Sequence, residues 1–146
     1  MGGSNKKVQI SLSLETPSVS AGADTVSLIH LVVKDDCKVS QIALRFYGKE
    51  RAYRDKLRVE AIQIPAHIWE SGVLERGHYI FPVMLDVPPH IPSSFEAENY
   101  SIKYFLEAVL LSRKGGVLVS DKKELVVNQE VIVVPGEYVT ERCYPV

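Results

Sequence analysis

The chain has 146 residues, enough for one domain with a single core and too few for two domains of ordinary size. Its net charge of −1 and pI near 6.4 provide no broad positive field, which argues against nucleic acid as a partner. No apolar run approaches the roughly 18 residues that a membrane helix needs, and the polar start lacks the apolar segment of a signal peptide. We therefore expect a cytoplasmic protein without an integral membrane segment.

The first third of the chain is patterned for strands. Val8 to Leu14 alternates apolar and polar residues with period two, as a half-buried strand does. Residues 25–33 are rich in β-branched and apolar residues and predict a second strand, with both faces partly covered. Residues 39–47 alternate again and predict a third strand, which we expect Gly48 to end.

The next segment is less regular. Residues 49–58 are rich in charge and lack a sustained apolar face, so they predict an exposed loop or the frayed end of a strand. Residues 57–64 predict a further strand that Pro65 closes. Residues 66–70 suit either a short helical turn or the start of a strand, and the sequence alone does not choose between them.

A proline-rich turn between two apolar arms follows. Residues 77–88 form the first arm and residues 100–110 the second. The prolines at 88, 89 and 92 remove backbone donors and fix φ, so neither arm can continue through this point as a strand. We expect the two arms to pair as a β-hairpin with a rigid tip outside the sheet.

The remaining strands complete an all-β protein. A turn at 114–116 leads to 117–119, and residues 125–134 predict a long final strand that Pro135 stops. Eight or nine short strands without a convincing helix predict an antiparallel, immunoglobulin-like β-sandwich with little or no helix. We divide the chain into a flexible N-terminal segment (1–7), one sandwich domain (8–134) and a C-terminal tail (135–146).

The order of motifs resembles the N-terminal domain of the arrestin family. The segments that carry the resemblance are Ile42–Gly48, Leu74–Pro82, Pro92–Phe95 and Ile102–Tyr104. It spans nearly the whole chain and is densest between Leu74 and Leu110. The resemblance implies an arrestin-like sandwich that works as a scaffold or trafficking adaptor. It also implies protein partners, such as the tails of membrane receptors or trafficking proteins, and recruitment of a cytoplasmic protein to membranes.

The residues provide little support for catalysis, a metal site or a cofactor. The chain lacks a G-x-S-x-G serine motif, a phosphate-binding glycine loop and an HExxH motif, and its four histidines are scattered over different segments. Cys37 and Cys143 have no CxxC spacing and predict free thiols. We expect no enzyme, although a nonlocal site assembled in space remains an alternative.

Two surfaces are candidates for contact with a partner. The first is a basic segment in which arginine could clamp a phosphate or carboxylate, although a solvated charged loop explains it as well. It consists of Lys49, Arg51, Arg54, Lys56 and Arg58. The second is the apolar tip of the proline-rich turn, because exposed apolar surface often marks a partner site. Its residues are Pro88, Ile91, Pro92 and Phe95.

These features favour a non-enzymatic interaction module that binds protein partners through loops and sheet edges. An exposed edge strand can accept an extended peptide, and we expect that edge at 8–14 or 125–134. Self-pairing through the same edge would give a homodimer. The alternative is a ligand-binding sandwich that captures an anionic ligand or phosphopeptide at the basic segment, residues 49–58.

Overall fold

The computed structural model describes residues 3–53 and 55–129, and for residues 55–60 it describes the backbone alone. Strands account for most of this part of the chain. They are β1 (Gly3–Ser4), β2 (Val8–Leu14), β3 (Ser18–Ser20), β4 (Asp24–Val33), β5 (Cys37–Arg51), β6 (Asp55–Ile68), β7 (Val73–Leu74), β8 (Gly77–Asp86), β9 (Phe95–Glu96), β10 (Ser101–Ser112) and β11 (Val117–Asn128). The described residues contain no helix, so the predicted all-β class is confirmed.

The strands form two sheets that face each other. The smaller sheet has the order β1-β2-β4-β8, and the larger has β3-β11-β10-β5-β6, with β7 paired to β5 and β9 to β10. Neighbouring strands are antiparallel except β3 and β11, which are parallel. The inward side chains of both sheets form one apolar core, so the architecture is a β-sandwich.

The predicted strands at 8–14 and 25–33 are confirmed with nearly the predicted bounds. In β2, Val8, Ile10 and Leu12 are buried while the residues between them are exposed, and in β4 buried residues alternate with half-buried or exposed ones. Because successive side chains of a strand point to opposite faces, this alternation places one face on the core and the other in solvent.

Gly48 does not end the third strand, because β5 continues to Arg51. Gly48 lies opposite Tyr104 of β10, and a Cβ atom at position 48 would be 2.6 Å from Cε1 of the Tyr104 ring. The glycine therefore makes room for a buried aromatic side chain rather than for a turn.

Pro65 does not close its strand either, because β6 runs on to Ile68. β6 is the outermost strand of the larger sheet, and an edge strand can accommodate a residue that lacks a backbone donor. Of the ambiguous segment 66–70, residues 66–68 belong to β6 and Glu70 lies in a turn.

The predicted hairpin around the prolines is wrong. β8 pairs with β4 in the smaller sheet, whereas β10 pairs with β5, β11 and β9 in the larger one. The proline-rich segment is therefore a crossing loop between the two layers. The prolines do stop both strands, but a stop does not determine which strand becomes the partner.

The last strand begins earlier than predicted. A turn at 113–116 joins β10 to β11, and β11 is continuous from Val117 to Asn128 although Asp121 interrupts its apolar pattern. Positions 130–134 of the predicted strand and the predicted tail lie outside the described residues. The division at 1–7, 8–134 and 135–146 stays a prediction, and within its first segment Gly3 and Ser4 pair with β2.

Candidate partner-binding surfaces

Hydrogen bonds hold the crossing loop between β8 and β10 in place. The hydroxyl of Tyr104 donates to the carbonyl of Pro92 at 2.7 Å. The hydroxyl of Ser94 accepts the N–H of Val127 at 2.8 Å, and the N–H of Ser94 donates to the carbonyl of Val127 at 2.7 Å. Ser93 accepts from the backbone N–H of Gln129 in the same way. The loop is thus bound to the ends of two strands of the larger sheet.

The loop presents only part of the predicted apolar tip to solvent. Ile91 is 8% exposed and belongs to the core, so its side chain is not available to a partner in this structure. Pro88 and Pro92 are half-buried. Phe95 is 51% exposed, and its ring lies 6.0 Å from that of Tyr100. Partner contact at Pro88, Pro92 and Phe95 stays a prediction.

The basic segment lies at the end of the β5–β6 hairpin. Lys49 and Arg51 are exposed residues of β5. Lys56 and Arg58 are in β6, but their side chains lie outside the description, as does the whole of Arg54. Lys49 is directly opposite Lys103 of β10, and Arg51 is opposite Ser101. Anion binding by this segment stays a prediction.

The structure adds residues that the sequence did not connect with the basic segment. A cleft of about 690 Å³ separates the end of the β5–β6 hairpin from the loop between β9 and β10. Its lining combines both signs of charge with exposed aromatic and amide groups. The residues concerned are Arg51, Tyr53, Glu96, Glu98, Asn99, Tyr100 and Lys103. The two acidic residues therefore offset the positive field that the basic segment would have alone.

Specific contacts shape this cleft. Lys103 pairs with Glu96 at 3.6 Å between Nζ and Oε2. The hydroxyl of Tyr100 donates to Glu50 Oε2 at 2.6 Å, which joins the β9–β10 loop to β5. Tyr53 is fully exposed at the hairpin end. The cleft thus has charged residues on both sides, Arg51 on β5 and three residues on or near β9 and β10, and the exposed ring of Tyr53 at the hairpin end.

Both edge strands that the sequence predicts as sites for an added peptide strand are partly covered by other residues of the chain. On the side of β2 away from β4, the N–H of Val8 donates to the side chain of Asn5, and the N–H of Asn5 donates to the carbonyl of Val8. Further along this side, Gly3 of β1 lies opposite Ile10, and the carboxylate of Asp121 accepts the N–H of Leu12 at 2.7 Å. β11 is covered from Val126 to Asn128 by β3. The outermost long strands are instead β8 and β6.

The reactive side chains are dispersed. His67 lies among aromatic rings, 4.8 Å from Trp69, and His30 is 3.4 Å from the hydroxyl of Ser13. Cys37 is buried and free, and burial raises the pKa of its thiol. Among the described residues there is no group of three or more metal-ligating side chains and no helix long and apolar enough to cross a membrane.

The fold is that of known arrestin-like proteins. The solved structure of Spo0M, a sporulation control protein from Bacillus subtilis, superposes with a TM-score of 0.61 and 13% sequence identity. The match covers 86% of this chain and 51% of the Spo0M chain, so this chain spans about half the length of that structure. A comparison with curated protein sequences gave no match.

Residues 47–136 match the family model of the arrestin (or S-antigen) N-terminal domain. Since this is more than half of the sequence, the chain belongs to the arrestin N-terminal domain family. The resemblance inferred from the motifs is confirmed. Proteins of this family are generally non-enzymatic and bind other proteins.

Proposed function

We propose that this chain is a non-enzymatic interaction module of the arrestin type, acting in the cytoplasm as a scaffold or trafficking adaptor. Its partners would be the tails of membrane receptors or trafficking proteins, which would recruit it to membranes. The observation that carries the proposal is the cleft between the β5–β6 hairpin and the β9–β10 loop. Protein partners are usually bound by such loops on a rigid scaffold.

The cleft is suited to a peptide segment. Tyr53 supplies an exposed ring with few rotatable bonds, a residue type enriched among the dominant contacts of interfaces. The bond from Tyr100 to Glu50 keeps one wall fixed, so little conformational freedom remains to be lost on binding. The cleft therefore has an anchor and a preorganised wall.

The charges of the cleft indicate the kind of segment. Arg51 and Lys103 line the cleft together with Glu96 and Glu98, so the two signs balance among its described charged residues. Complementary charge gives specificity and faster association more than it gives affinity. We expect a partner segment that carries both acidic and basic side chains around an apolar or aromatic residue.

The test is to capture partners with the intact chain by proximity labelling and then measure the affinity of each purified candidate by calorimetry. Tyr53→Ala and Glu98→Lys should each weaken binding at least about tenfold. Lys114→Ala is the matched control, because Lys114 is exposed in the turn at the opposite end of β10. If Tyr53→Ala and Glu98→Lys both bind every partner as tightly as the parent chain, the cleft is not the binding site.

A second candidate is capture of an anionic ligand or phosphopeptide at the basic segment. It is favoured by the cations that adjacent strands place at one end of the larger sheet, Lys49 and Arg51 on β5, beside Lys103 on β10, which already pairs with Glu96. Such binding should weaken sharply with ionic strength, whereas apolar contact should not. Replacing Arg51, Arg54 and Arg58 by alanine should abolish phosphopeptide binding. Unchanged affinity would eliminate this candidate.

A further inference from the structure

The outer face of the smaller sheet is apolar in its middle. Leu28 of β4 is 36% exposed, and Ile80 and Met84 of β8 are 60% and 57% exposed. The strand register makes them neighbours, since Leu28 lies opposite Pro82 and Met84 opposite Val26. Together they form a continuous apolar patch across two strands, of the kind that marks interaction surfaces.

The two ends of this patch carry different polar groups. At one end, Asp24 and Asp86 are directly opposite each other, and Asp86 raises the pKa of the Asp24 carboxyl through a hydrogen bond and repulsion. Among the residues that the structure describes, no cation forms an ion pair with either carboxylate. At the other end, His78 is exposed and lies opposite Val32.

The open edge of β8 is poorly suited to an added strand. The N–H of Lys34 donates to the carbonyl of Lys7, and the carbonyl of Val26 accepts the N–H of Glu15, both on the β2 side of β4. The backbone N–H and C=O groups of the even-numbered residues of β4 are therefore directed toward β2 and away from β8. Pro82 lies opposite Leu28 in the antiparallel pair of β4 and β8. Since the backbone groups of Leu28 are directed away from β8, the two residues form a non-hydrogen-bonded pair, and the nitrogen of Pro82 is directed to the free edge of β8. Its ring blocks a backbone hydrogen bond there, as in edge strands protected against pairing. The face, rather than the edge, is left available.

We propose that two copies of this chain associate through the outer faces of their smaller sheets, about a two-fold axis perpendicular to the strands. Such an axis lays β8 antiparallel over β8 of the partner subunit, centred on Pro82. Ile80 then lies over the partner's Met84, and His78 over the partner's Asp86, because their numbers are symmetric about 82. Apolar side chains occupy the centre, and at the rim the imidazole of His78 faces a carboxylate that can accept a hydrogen bond from it.

The proposed arrangement agrees with how sheets pack. Two sheets face each other with strand directions within about 30° and a separation of about 10 Å, which leaves room for one layer of interdigitated side chains. A two-fold interface must be complementary to itself, and this face meets that condition in its apolar contacts and in its imidazole–carboxylate contacts. The cleft lies on other strands, so the proposal is independent of partner binding there.

The first experiment measures the mass of the full chain by sedimentation equilibrium over a range of protein concentrations. The chain should form dimers, and the double variant Ile80→Glu/Met84→Glu should weaken association at least about tenfold. Ile68→Glu is the matched control, because Ile68 is 59% exposed but belongs to β6 of the larger sheet. A chain that is monomeric throughout, or a dimer that Ile80→Glu/Met84→Glu leaves intact, overturns the proposal.

A charge reversal tests the orientation of the two copies. His78→Asp should weaken the dimer several-fold, because it places Asp against the partner's Asp86. Adding Asp86→Lys to this variant should restore association, and His78→Lys alone should strengthen it. Circular dichroism establishes that each variant is folded. If the double variant His78→Asp/Asp86→Lys dimerises no better than His78→Asp, the proposed axis is wrong.

Discussion

The buried carboxylate of Asp121 offers the sharpest test of how the two sheets are joined. Asp121 is 6% exposed and lies in β11 of the larger sheet, yet it accepts the backbone N–H of Leu12 in β2 of the smaller one at 2.7 Å. We predict that Asp121→Ala lowers the free energy of unfolding by about 2–3 kcal/mol, because it leaves a buried donor unsatisfied and removes a charge-assisted bond. Urea denaturation of dilute protein measures this change.

Two control variants separate the hydrogen bond from the charge. Asp121→Asn retains an oxygen acceptor and should cost less than half as much as Asp121→Ala. Lys123→Ala removes an ion pair of 3.8 Å whose lysine is 38% exposed, so we expect a loss of at most about 1 kcal/mol. Hydrogen exchange at the Leu12 amide should accelerate in Asp121→Ala alone. Equal losses for Asp121→Ala and Lys123→Ala, with unchanged exchange at Leu12, would refute the reasoning.

Three further predictions concern single contacts. Gly48→Ala should lower the free energy of unfolding by about 1–3 kcal/mol, since the new Cβ clashes with the Tyr104 ring. The control Gly116→Ala places a Cβ at an ordinary contact distance and should change the free energy of unfolding little. Equal losses in the two variants would contradict this prediction. Tyr104→Phe should cost about 1 kcal/mol, because it removes the bond to Pro92, and an unchanged urea midpoint would contradict that. Asp24→Asn should raise the urea midpoint at pH 7, because it removes the repulsion between the carboxylates of Asp24 and Asp86. The pKa of Asp24 is raised in the folded state, so the stability that its protonated form provides is lost as the pH rises through that pKa. The difference in urea midpoint between Asp24→Asn and the parent chain should therefore vanish below about pH 3.8.

The sequence was informative wherever burial alternates along one strand. In β2 the apolar positions alternate with polar ones and face the core, so period two was enough to locate it, whereas β4 carries apolar residues on both faces and was located by its β-branched and apolar content. Gly48 was misjudged because a glycine indicates a turn in a local pattern, whereas here it faces a ring on another strand. The side chain that faces Gly48 belongs to a strand distant in the sequence, so residues 39–48 alone do not reveal its size.

The sequence pattern alone does not identify the pairing partners of the two strands that flank the prolines. The arms on either side of the prolines are adjacent in the chain, and adjacent strands often pair, so a hairpin was the natural expectation. Each arm instead extends a different layer, with Val83 and Leu85 facing the core from one sheet and Tyr104 and Leu106 from the other. Period-two patterning shows which side chains are inward, but both layers of a sandwich satisfy it equally.

The same dependence on pairing changes how the basic segment should be interpreted. Taken alone, residues 49–58 carry an excess of positive charge and predict an anion site. The register that sets Arg51 opposite Ser101 also brings the β9–β10 loop, with Glu96 and Glu98, to the same end of the sheet. A site that holds both signs of charge discriminates by where the charges lie rather than by their sum. A partner should therefore be recognised by the order of its charges along an extended segment, and a simple polyanion would meet repulsion from Glu96 and Glu98.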